Sequence, residues 1–174
     1  MTELHINSRR SREPQISPAI SLSIIVPFFN EEEVLPEFHS RLTRVLDELP
    51  ISSEIVYVDD GSKDNSLALV ESFKSIASSI SVIGLSRNFG KESAMSAGLE
   101  HCRGQAVILL DADLQDPPEL IPDMVSKWRE GYDVVNMQRS QRDGETWFKK
   151  FSAASRNIRF SYWTNKKIYK WIGA

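Results

Sequence analysis

Two carboxylates one residue apart, Asp111 and Asp113, close an uninterrupted apolar run, Ala106–Leu110. Gln115 and Asp116 follow, and Pro117-Pro118 forbid further strand. The apolar run has the character of a strand buried on both faces. Oxygen ligands at the carboxyl end of such a strand sit where an open α/β sheet places its ligands. A D-x-D pair there can share a hard divalent cation, Mg²⁺ or Mn²⁺, with a diphosphate. Most carboxylates are simply solvated, so the weight falls on what else the chain brings to the same edge.

The remaining apolar runs place further polar groups in the same relation. Leu22–Val26 is a strand ended by Pro27, with Phe28-Phe29-Asn30 turning the chain and Glu31-Glu32-Glu33 opening a helix that runs to about Leu49. Glu54–Val58 is a second strand, followed by Asp59-Asp60-Gly61-Ser62 and by Asp64 as N-cap of a helix through Leu67, Val70 and Phe73. Ser81–Leu85 is a third, leading through Arg87 and Lys91 into a small-residue helix, Glu92–His101. Pro117–Glu130 reads as a helix stopped by Gly131, and Asp133–Met137 as a fifth strand before Arg139. Five strands alternating with helices predict a three-layer α/β/α fold with a mostly parallel sheet. Glu31, Asp59-Asp60, Arg87, Lys91, Asp111, Asp113, Gln115 and Arg139 each follow a strand, so they converge on one edge and form a cleft suited to a nucleotide diphosphate. Beyond Met137 the chain turns basic and aromatic. Glu145–Phe160 suggests an amphipathic helix, and Ser161–Ala174 has no clean period and is left unassigned.

Several other classes lose support. The 174 residues fit one domain, and a net charge of −3 offers no electrostatic case for nucleic acid. The single cysteine, Cys102, excludes an intrachain disulfide and a cysteine zinc site. No apolar run approaches the ~20 residues of a membrane span, and no signal peptide is evident, so the expected compartment is the cytoplasm. Met1–Ser21, polar with three arginines, reads as a disordered tail. No G-x-G-x-x-G follows the first strand. Gly84 and Gly90 are separated by five residues, with Glu92 where a P-loop needs Ser or Thr. His5, His39 and His101 are scattered. Of the adjacent pair Phe28-Phe29, one ring faces the core; the favoured assignment packs Phe28 and stacks Phe29 near a base, although register decides between them.

The motifs V-P-F-F-N-E (Val26–Glu31), V-D-D-G-S-K-D (Val58–Asp64), S-R-N-F-G-K (Ser86–Lys91) and D-A-D-L-Q-D-P (Asp111–Pro117) together resemble a family-2 glycosyltransferase over roughly Leu22–Lys150. The last two are similar to the branch that makes polyprenyl-phosphate sugars, the dolichyl-phosphate mannosyltransferases and bactoprenol glucosyltransferases. The resemblance implies nucleotide contacts from Pro27, Phe29, Glu31, Asp60, Arg87, Lys91 and Asp111. It implies metal and diphosphate ligands at Asp111, Asp113 and Gln115, with Mg²⁺ or Mn²⁺ as cofactor. Asp113 and Arg139 become catalytic candidates, Arg139 with Arg142–Lys150 meeting phosphate. The expected reaction passes a sugar, with inversion, from a UDP- or GDP-sugar to a polyprenyl phosphate at the cytoplasmic membrane face. The alternatives are a nucleotide-binding remnant without activity and a transferase to a saccharide acceptor. Residues 151–174 depart from the family pattern and read as an atypical or truncated end, with a basic-aromatic character that also suits a membrane interface.

Overall fold

The computed structural model describes residues 20–76, 79–114, 117–132, 136–137 and 167–171. In chain order these form β1 (Leu22–Phe28), α1 (Leu35–Asp47), β2 (Ser53–Asp59), α2 (Ser66–Ile76), β3 (Ile80–Gly84), α3 (Lys91–His101), β4 (Ala106–Leu109), a 3₁₀ turn (Pro118–Leu120), α4 (Ile121–Arg129), β5 (Asn136–Met137) and β6 (Lys167–Trp171). The sheet order is β3-β2-β1-β4-β6-β5, and every pairing is parallel. Side chains alternate across β1. Leu22, Ile24, Val26 and Phe28 join the α1, α2 and α4 face, whereas Ile25 joins the α3 face with Val56, Val58, Val107 and Leu109. Both faces of the sheet are therefore covered, as the continuous apolar runs predict.

α1 buries Leu35, Phe38, Leu42, Val45 and Leu46, one stripe at helical spacing. On the opposite face α3 lies close because it carries Gly98. A Cβ there would meet Ile25 Cγ2 at 2.5 Å.

Four departures from expectation have a local reason. β1 continues through Pro27 to Phe28, paired with Val58 and Asp59. The Ile25 carbonyl accepts from Leu110 N–H, so Pro27, two residues on, faces the side where β4 has already ended, and its missing donor costs no ladder bond. α1 begins at Leu35 rather than Glu31: Leu35 N–H does donate to the Glu31 carbonyl, but Pro36 has no N–H to continue the series, and the Glu31 and Glu32 N–H groups donate instead to Ser66 Oγ (2.8 Å) and Asp64 Oδ2 (3.2 Å). The helix expected from Pro117 is a 3₁₀ turn first, and α4 then starts with a proline, Pro122, in its opening turn. The unassigned end contains β6, which lies between β4 and β5. The expected tail before Ile20, Gln115, Asp116, Arg139, the region Arg142–Lys150 and the amphipathic helix expected over Glu145–Phe160 lie outside the described residues.

Candidate active site

The loops after the first four strands are pinned to one another at the carboxyl edge of the sheet. Asn30 N–H donates to Ser62 Oγ at 3.0 Å, and Asn30 Oδ1 accepts from Lys63 N–H at 2.8 Å. Asn30 takes a left-handed backbone, φ 54°, which asparagine tolerates better than most residues. Glu32 Oε2 accepts from Asn65 N–H at 2.7 Å, and Asp64 Oδ1 from Ser66 N–H at 3.0 Å. Burial raises the Asp64 carboxyl, but hydrogen bonds from the Ser66 hydroxyl and N–H and from Glu32 N–H outweigh it and hold it below its ordinary value. Gly61 sits so near the third loop that a Cβ would lie 2.5 Å from the Arg87 carbonyl carbon.

The result is one cleft of about 300 Å³, lined by Pro27, Phe28, Phe29 and Glu31 after β1, Asp60 after β2, and Asn88, Gly90 and Lys91 after β3, with Asp111, Ala112 and Asp113 after β4. Its size suits a small-molecule ligand. Phe28 is buried, in edge contact with Tyr57 at 6.2 Å between ring centres, while Phe29 is 36% exposed. Phe28 is thus the ring of the pair that packs in the core. The Lys91 ammonium donates to Asp111 Oδ2. Burial pushes the Glu31 carboxyl above its ordinary value, and the charges of Asp113 and then Asp64 push it further. After Asp113 comes Leu114 at φ 59°, a backbone that costs a residue with a Cβ roughly 1 kcal/mol. Its side chain packs against the α1 and α4 core.

This geometry fits a divalent cation in part. Asp111 and Asp113 end one buried strand, an ammonium already offsets Asp111, and Asp113 raises the Glu31 carboxyl, which marks surplus negative charge in the cleft. Among the described residues no three His, Cys, Asp or Glu side chains gather into a complete metal site. Two aspartates with diphosphate oxygens completing the set are what such a site would offer, since Mg²⁺ commonly binds through one or two carboxylates plus substrate phosphates.

Two described candidates stay out of the cleft lining: Asp59, which is buried and accepts from Ser62 N–H at 3.0 Å, and Arg87. The Arg87 guanidinium lies over the exposed Phe89 ring, 4.8 Å from the centroid. Asn88 lines the cleft in its place, and only its position one residue from Arg87 in R-N-F-G-K signalled it. The two described histidines stand apart. His39 stacks on Phe73 at 4.0 Å and lies 2.9 Å from the Tyr57 hydroxyl, and His101 Nδ1 lies 2.8 Å from the Ala97 carbonyl.

The profile of Glycosyl transferase family 2 matches residues 23–172, which extends past Lys150. An uncharacterized glycosyltransferase of Synechocystis sp. is 53% identical over 88% of this chain and 45% of its own length. The uncharacterized glycosyltransferase YkcC of Bacillus subtilis is 46% identical over 80% of this chain and 43% of its own. The chain thus spans less than half the length of these curated relatives. Among solved structures, the mannosyltransferase PcManGT from Pyrobaculum calidifontis, in complex with GDP-Man and Mn²⁺, shares the fold. Its TM-score is 0.57 at 22% identity, over 74% of this chain and 40% of that one.

Proposed function

Because the chain belongs to glycosyltransferase family 2, we propose that it moves a sugar from a UDP- or GDP-linked donor to a polyprenyl phosphate. Transfer proceeds with inversion at the anomeric carbon and depends on Mg²⁺ or Mn²⁺. The observation that carries this reading is the meeting of Glu31, Asp60, Lys91, Asp111 and Asp113 in one cleft beside the exposed face of Phe29.

In this reading Phe29 packs on the base, Pro27 and Glu31 border the nucleoside, and Asp60 lines the same cleft. Asp111 and Asp113 hold the cation with the diphosphate, and Gln115 joins them. The bound cation stabilises the negative charge that gathers on the leaving diphosphate. Lys91 adds a positive charge within reach of the same oxygens. Arg139 meets the phosphate of donor or acceptor. The acceptor phosphate is already anionic, so in-line attack needs no strong general base, and no histidine lines the cleft among the described residues. The acceptor is a lipid, so the reaction belongs at a membrane surface. We propose the cytoplasmic face of the plasma membrane, met peripherally. No described helix is long and apolar enough to cross a membrane.

The test is a donor screen on the purified chain, with UDP- and GDP-sugars, polyprenyl phosphate and Mn²⁺. A glycosylated lipid phosphate that disappears with EDTA is the expected product. Donor binding without any product would favour the binding remnant, and transfer to a saccharide but not to the lipid would replace the acceptor.

A further inference from the structure

We infer that Asp60 is a positioning residue for Lys91, acting through the backbone of Phe89 and Gly90 rather than by contact with the base. The inference rests on the reading of the cleft as a diphosphate site. Asp60 is 4% exposed, and both of its carboxylate oxygens are engaged. Oδ1 accepts from Phe89 N–H at 2.7 Å and Oδ2 from Gly90 N–H at 2.9 Å. Two successive amides aimed at one carboxylate form a charge-assisted clamp.

The clamp is anchored at its far end. Asp60 N–H donates to the Phe28 carbonyl at 2.9 Å, so the residue is tied to the end of β1. Gly90, at φ 94°, gives the bend a conformation that other residues rarely adopt. Asn88 Oδ1 shares the Gly90 N–H at 3.1 Å, and the Gly90 carbonyl accepts from Ser93 and Ala94 N–H to open α3. Lys91 is the first residue of that helix, and its ammonium reaches Asp111. A single line of bonds therefore runs from β1 through Asp60 and the 89–90 amides to the one cation that touches the D-x-D pair among the described residues.

The decisive probe carries no base: inorganic pyrophosphate with Mn²⁺, titrated into the wild-type chain, Asp60→Asn, Lys91→Met and the double variant. Asparagine turns an NH₂ toward an N–H and removes the charge, so the clamp opens. Asp60→Asn is expected to weaken pyrophosphate about tenfold. The double variant is expected to be no weaker than Lys91→Met alone, because the two residues act in series. Unchanged pyrophosphate binding in Asp60→Asn, with a loss confined to free nucleosides, would overturn the inference and return Asp60 to the base. Additive losses would overturn it as well. No pyrophosphate binding by the wild-type chain would instead overturn the reading of the cleft. Amide exchange in the wild-type chain is a second measurement that needs no variant. The Phe89 and Gly90 amides, on an exposed loop, are expected to exchange slowly, and fast exchange of both would contradict the clamp.

Discussion

The Lys91 ammonium and the Asp111 carboxylate form an ion pair that joins the first residue of α3 to the end of the β4 strand. The two residues come from different βα units, and the pair exists because parallel strands bring their carboxyl ends to one edge. Lys91 thereby sits on an oxygen that a divalent cation would use.

Replacing Lys91 with methionine should raise the affinity of the nucleotide-free chain for Mn²⁺. The side chains are 51% and 32% exposed, so the pair is screened and the gain is small, about threefold. Titration with Mn²⁺ alone, followed by the electron paramagnetic resonance of the free ion, measures it. An affinity that falls would mean the ammonium helps to hold the cation.

Phe28 and Phe29, adjacent in sequence, should separate cleanly in their variants. Phe28→Ala removes a buried ring from the core and should cost about 3 kcal/mol in urea unfolding. Phe29→Ala should leave unfolding unchanged and weaken the nucleoside diphosphate by about 1 kcal/mol, through lost stacking. Loss of stability without loss of binding in Phe29→Ala would place that ring in the core instead.

Glu54, at the opposite edge of the sheet from the cleft, carries a pH prediction. It is 1% exposed and accepts from the Ser23 hydroxyl at 2.7 Å, from Arg103 N–H at 2.6 Å and from Arg103 Nε at 2.9 Å. Burial opposes its ionisation, but these bonds outweigh burial and hold its carboxyl below the ordinary glutamate value. A depressed carboxyl stabilises the folded state above the unfolded value and loses that contribution as pH falls through the folded one. The contribution of Glu54 should therefore hold from neutral pH down to the ordinary glutamate range and be lost below it. Glu54→Gln should cost about 2 kcal/mol at neutral pH and flatten the acid limb. Unfolding curves at a series of pH values check both, and an unchanged acid limb would contradict the assignment.

How legible these features were in the chain depends on whether their information is local. Ala106–Leu109 announces a buried strand by composition alone, and the stripe Leu35, Phe38, Leu42, Val45, Leu46 announces one face of α1. The carboxyl-edge cleft followed from strand order, and Glu31, Asp60, Lys91, Asp111 and Asp113 do meet there. Residues Lys167–Trp171 gave no signal because lysines interrupt the apolar pattern, and the strand exists through its pairing with β4 and β5. Arg87 and Asp60 show the other limit. Residue type marks both as ligand candidates, yet one guanidinium covers a neighbouring ring and one carboxylate faces backbone amides. Which way a side chain turns is set by contacts that no spacing encodes.

In the proposed function, Asp111 and Asp113 hold a cation through which a nucleoside diphosphate binds this cleft. Calorimetry with UDP and GDP, in Mn²⁺ and then in EDTA, on the wild-type chain and on Asp113→Ala, tests it most directly. At least one nucleotide is expected to bind in Mn²⁺, with a loss of about tenfold or more on either EDTA or the substitution. Equal affinity under all of these conditions would contradict it.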